Sequence, residues 1–135
     1  MIEAGLVFSG NMPVFFHLPK GRTAGSLPDS RALWDVLWGN RKDPFLGFAH
    51  THPGSGVPAP SCTDITTFAA VEAGLGRRVI WLIASSDHVV RVDWKGPEKL
   101  DYQTFLVEEP GWTGRLREYS TRDYAHFYTK ENGNG

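Results

Sequence analysis

Hydrophobic residues gather in short β-prone runs separated by glycine, proline and asparagine, with two longer stretches at helical spacing between them. Gly5 to Ser9 reads as a first strand, Gly10-Asn11 as a turn, and Met12 to Leu18 as a second strand. Pro19 to Pro28, rich in Gly, Lys, Arg, Thr and Ser, reads as an exposed loop. Asp29 or Ser30 caps a short helix that runs to about Trp38 and stops at Gly39-Asn40. In that helix Leu33, Trp34, Leu37 and Trp38 recur at helical spacing. Either all four face the core, or one tryptophan lies exposed and grips a protein substrate.

Pro44 to Thr51 reads as a strand. A helix opens at Asp64, carries Ile65, Phe68, Ala69 and Leu75 near one face, and ends at Gly74 and Gly76. Val79 to Ala84 is almost continuously apolar, the pattern of a central strand covered on both sides. Val89 to Trp94 and Tyr102 to Val107 follow as strands, and the charged and aromatic segment Thr113 to Phe127 as a terminal helix. Strands and helices alternate without repeats, so the expected class is α/β, a layered sheet flanked by helices.

Composition narrows this only a little. A chain of 135 residues makes one domain, expected over residues 1–128, with a flexible tail at 129–135. A formal charge of −1 gives no electrostatic reason to expect nucleic acid or an acidic membrane as partner. The single cysteine, Cys62, excludes an internal disulfide and fits a reducing compartment. The opening MIEAGLVFSG lacks a signal peptide's basic region and long apolar run. No apolar run approaches the roughly 18 residues of a membrane span. A cytoplasmic protein is the expectation.

The candidate chemistry lies in GFAHTHPGSGVPAPSCTD, from Gly47 to Asp64. Side chains on a strand alternate faces, so His50 and His52 share one, roughly 7 Å apart along the strand. Three prolines and two glycines between Pro53 and Pro60 bend the chain back and present Ser61 and Asp64. Two imidazoles and a carboxylate are the mixed ligand set of a catalytic zinc, which leaves a further position open to water. The remaining histidines, His17, His88 and His126, stand alone and read as surface or core residues. Cys62 reads as a small, partly buried side chain, and Arg77-Arg78 as a solvated cap on a helix C-terminus.

GFAHTHP followed by PSCTD resembles the signature of the JAMM metalloproteases, also called MPN+ or JAB domains. Their pattern is a glutamate, then H-[ST]-H-P, a short loop, and S-x-x-D. The resemblance implies a fold similar to the cytidine deaminases, a central mixed sheet flanked by helices. It implies that His50, His52 and Asp64 bind Zn2+ and that Ser61 hydrogen-bonds a developing oxyanion. Ile2-Glu3-Ala4-Gly5-Leu6-Val7-Phe8-Ser9-Gly10 matches the context of the family's glutamate, which makes Glu3 the implied general base.

The activity implied is that of a zinc isopeptidase or peptidase cleaving after the C-terminal glycine of a ubiquitin-like protein. Small JAMM proteins of this kind resemble those of bacterial ubiquitin-like conjugation systems, antiphage systems included. Relatives that trim sulfur-carrier proteins or accompany phage tails, and metal-free MPN or RadC-like binding modules, are the alternatives. Two departures stand out. The loop from Pro53 to Pro60 is one residue longer than the family pattern, and the sequence begins two residues before Glu3, where the family has a preceding helix and often a strand. Strand pairing within the domain, or a partner chain covering the short N-terminus, would be needed to anchor Glu3.

Overall fold

A computed structural model describes residues 2–96 and 99–121. The distal part of the expected terminal helix, His126 and the expected tail lie outside these residues. In chain order the elements are β1 (Gly5–Ser9), β2 (Met12–His17), α1 (Arg31–Gly39), β3 (Leu46–Thr51), α2 (Cys62–Leu75), β4 (Ile80–Ala84), β5 (Val89–Gly96), β6 (Lys99–Leu106) and α3 (Thr113–Thr121). The strands form one sheet in the order β2-β1-β3-β4-β5-β6. Only β3 and β4 pair in parallel. The class is therefore α/β as expected, with a mixed six-stranded sheet and three helices. Among the described residues no helix is long and apolar enough to cross a membrane.

Alternation along the strands divides the core into two layers. Val7, Phe48, Trp81, Ile83, Val90, Val92 and Trp94 face α1 and α2, packing on Leu33, Leu37, Ile65, Phe68 and Leu75. Leu6, Phe8, Ala49, Leu82, Ala84 and Val89 face the other way, onto Trp112 and Leu116 of the α3 region. β4 is covered on both sides, as its unbroken apolar run requires.

Local chemistry sets the helix ends. Ser30 is the N-cap of α1, its Oγ accepting the Leu33 N–H at 3.0 Å. Ser61 caps α2 through a reciprocal box with Asp64, and Gly76 in a left-handed conformation closes it. The two helices meet where Trp34 lies over Gly74; a Cβ at that glycine would stand 2.6 Å from the indole. That contact accommodates Trp34 and leaves Trp38 on the outside, 45% exposed and stacked against Trp34. Of the two expectations for the tryptophans, the exposed one is found for Trp38.

Several residues depart from their expected settings. Arg22 sits in the loop expected to be exposed, yet only 6% of it is accessible. Cys62 is exposed rather than partly buried, because it occupies the solvent side of the first turn of α2. Arg77 and Arg78, expected as a solvated cap, instead brace neighbouring segments. Arg77 donates to the carbonyls of Arg41 and Asp43, bracing the loop before β3. Arg78 Nε lies 2.8 Å from Glu72 Oε1, an ion pair without hydrogen-bond alignment. Glu72 is buried, and its Oε2 accepts the Val79 N–H at 3.0 Å and the indole N–H groups of Trp81 at 2.8 Å and Trp94 at 3.3 Å. One carboxylate thus joins the end of α2 to β4 and β5.

Glu72→Ala is expected to strand three buried donors and lower unfolding stability by about 3 kcal/mol. Denaturant titration of the variant beside wild type measures this, and an unchanged midpoint would contradict the assignment.

Candidate metal centre

β3 delivers its two histidines to the helix-covered face. His50 follows Phe48 in the alternation, and His52 lies just past the strand end, its N–H donating to Ala84 O at 2.9 Å. The Nε2 atoms of the two rings are 3.1 Å apart. Asp64, in the first turn of α2, brings Oδ2 to 2.9 Å from His52 Nε2 and Oδ1 to 3.3 Å from His50 Nε2. Ligand atoms from all three residues lie within 4.8 Å of one another, and the group can hold a metal ion. Tetrahedral bonds of roughly 2.0–2.1 Å place neighbouring ligands about 3.3–3.4 Å apart, so the observed separations are compatible with zinc.

The loop between His52 and Ser61 is clamped to the β4–β5 turn. Gly54 and Gly56 take φ values of +120° and +95°, open to glycine and disfavoured for other residues. Gly54 O accepts from Ser86 N–H at 2.8 Å, Gly56 N–H donates to Asp87 Oδ1 at 2.8 Å, and Ser85 Oγ donates to Gly56 O at 2.6 Å. Asp87 and Ser85 carried no sign of this role in the sequence.

Ser61 and Asp64 hold each other. Ser61 Oγ accepts the Asp64 N–H at 3.0 Å, and Ser61 N–H donates to Asp64 Oδ2 at 2.9 Å. A hydroxyl that accepts in this way keeps its own proton to donate. Burial alone would raise the Asp64 carboxyl, but hydrogen bonds from His50 and His52, the His50 charge and the Ser61 N–H outweigh it. The group is held well below the usual carboxylate range. The hydrogen bond to Asp64 in turn raises His52, against an opposing effect of burial.

Glu3 is 8% exposed. Its N–H donates to Thr23 O at 2.8 Å, and its carbonyl accepts from Arg22 Nη1 at 3.0 Å. The β1–β3 register pairs Gly5 with His50, and a bond from Thr51 N–H to Ala4 O carries the pairing one step further, bringing Glu3 level with His52. Burial pushes the Glu3 carboxyl above its ordinary value; His50 and His52 pull it down and Asp64 adds to the rise. The N-terminal segment is therefore anchored among the described residues, by β3, the Arg22 side chain, the Thr23 carbonyl and α3.

Glu3, His50, His52, Ser61 and Asp64 all line one cleft of about 490 Å³, so all five residues singled out in the sequence come together. Its apolar lining includes Leu27, Leu33, Leu37, Phe48, Phe68 and Trp81. His17 also lines it, buried at the end of β2 with Nε2 donating to Pro28 O at 2.6 Å, which pins the loop forming one wall. His88 stands apart, paired with Asp87 at 2.9 Å. Compared with models of known protein families and with curated proteins, the chain matches none.

Elemental analysis after equilibration with Zn2+ is expected to give about one ion per chain, and far less for Asp64→Ala. A second outcome concerns acid. Burial lowers the His17 pKa from 6.5, against the Pro28 carbonyl and Asp29, which raise it. The unfolded chain then takes up the proton first as pH falls, so the His17 contribution is intact above 6.5 and declines as pH drops below it. Denaturation of wild type and His17→Gln at about pH 7.5 and about pH 5.5 should show a smaller acid loss in the variant.

Proposed function

We propose that this chain is a zinc-dependent peptidase or isopeptidase of the JAMM (JAB/MPN+) kind, on the cytidine-deaminase-like scaffold such enzymes use. Its substrate is the C-terminal glycine of a ubiquitin-like protein, joined to a target or to a trailing peptide. The observation that carries this reading is the convergence of two Nε2 atoms and one carboxylate beside a buried glutamate and a helix-capping serine, all on one cleft.

His50, His52 and Asp64 would hold the ion, which when bound polarises a carbonyl and makes water a better nucleophile. Glu3 accepts the proton of the attacking water and returns it to the departing amine. A carboxyl raised by burial suits this work near neutral pH, being neither too weak a base nor too weak an acid. Ser61 donates its hydroxyl proton to the carbonyl oxygen as negative charge develops there. The reciprocal cap fixes Ser61 relative to Asp64, and therefore relative to the ligand set. Leu27, Phe48 and Phe68 give the cleft an apolar lining, and a low local dielectric strengthens each of these interactions. An extended tail ending in small residues is slender enough to reach His50, which lies almost wholly below the surface.

The test is a panel of ubiquitin-like proteins fused through their terminal glycine to a reporter peptide. Zinc-loaded wild type is expected to release the reporter. Chelation should abolish release and added zinc should restore it. Glu3→Gln should keep its metal yet lose about 10²–10⁴-fold in rate. Cleavage that survives both chelation and Glu3→Gln would sink the mechanism.

A further inference from the structure

Thr51 lies between the two histidines and faces away from them. Where His50 points to the α1–α2 layer, Thr51 reaches the layer packed by α3. There Thr51 Oγ1 accepts the Ala4 N–H at 2.9 Å and lies 2.9 Å from Ser120 Oγ. Ser120 Oγ donates to Ile2 O at 2.6 Å, and Ser120 O accepts the Ile2 N–H at 2.8 Å. One assignment of protons satisfies the run: Ala4 N–H to Thr51, Thr51 O–H to Ser120, Ser120 O–H to Ile2 O. The two hydroxyl residues are 2% and 1% exposed, and neither lines the cleft.

The run grips the residues on either side of Glu3 and no others in that segment. We infer that Thr51 and Ser120 are positioning residues for Glu3, their hydroxyls fixing the peptide groups of Ala4 and Ile2 so that the carboxyl is held level with the metal ligands. The inference rests on the reading of Glu3 as the proton-transferring residue. It adds that a helix on the far side of the sheet sets where that residue stands. Size alone does not suffice at position 51. Valine has nearly the shape of threonine but leaves the buried Ala4 N–H without its acceptor, whereas serine keeps the oxygen. A glutamate displaced by about 1 Å loses much of its advantage in proton transfer while the ligands and the cleft stay as they were.

The experiment compares zinc-loaded full chains of wild type, Thr51→Val, Thr51→Ser and Ser120→Ala in three measurements. These are zinc content, amide exchange at Ala4, and kcat and KM on a fusion that wild type cleaves. Thr51→Val is expected to keep its zinc and to speed Ala4 exchange about tenfold or more. Its kcat should fall about 10–100-fold with KM within about twofold of wild type. Thr51→Ser should restore both readouts, and Ser120→Ala should shift both in the same direction as Thr51→Val. If Thr51→Val does not fold, Ser120→Ala and Thr51→Ser decide. Wild-type exchange and kcat in Thr51→Val and Ser120→Ala would overturn the inference. So would zinc loss in step with kcat, which marks general collapse of the site. If wild type cleaves no fusion, the peptidase reading fails, and Ala4 exchange still decides whether the two hydroxyls fix this segment.

Discussion

Neighbouring parallel strands cannot be joined by a tight hairpin, because the chain leaving the end of one must travel back along the sheet to start the other. Between β3 and β4 that return is made by α2. The first turn of α2 therefore begins at the level where β3 ends, on the face the crossover covers. His50 and His52 leave β3 at that level, and Asp64 enters from the helix. The site at the carboxyl end of the strand follows from this topology, as it does in open α/β sheets generally.

α2 is fastened by a buried or half-buried carboxylate near each end, and the two face opposite electrostatic problems. Asp64 sits at the N-terminal end, where the helix dipole and the Ser61 N–H favour negative charge. Glu72 lies in the last turn, where the dipole disfavours it. Arg78 and the donors of Val79, Trp81 and Trp94 offset that cost. The Asp64 carboxylate is thus shared between the Ser61 cap and two imidazoles, so the helix cannot shift without moving the group that can hold a metal.

Much of this arrangement could be read from the residues, because it depends on local periods. Alternation gives the common face of His50 and His52, an unbroken apolar run gives the doubly covered β4, and S-x-x-D gives the carboxylate, while the helix expected to open at Asp64 begins at Cys62 with Ser61 as its cap. Other parts depend on contacts between distant segments, which no local pattern carries. Helical spacing sets Trp34 and Trp38 in one stripe, and only the close approach at Gly74 separates their fates. The composition of Pro19 to Pro28 suggests solvent, yet Arg22 turns inward to the carbonyls of Glu3 and Tyr119. Glu3 is singled out by the resemblance of its Ile2-to-Gly10 context alone, and its burial follows from the extension of the β1–β3 pairing.

The bond from Ser120 to Ile2 joins residues 118 positions apart. Closing so long a loop costs conformational entropy that the packing of α3 must offset. Ala4 has its hydroxyl partner in Thr51 of β3, whereas Ile2 gains its partner only when α3 docks. Undocking of α3 would therefore release Glu3 on one side while β3 still held it on the other.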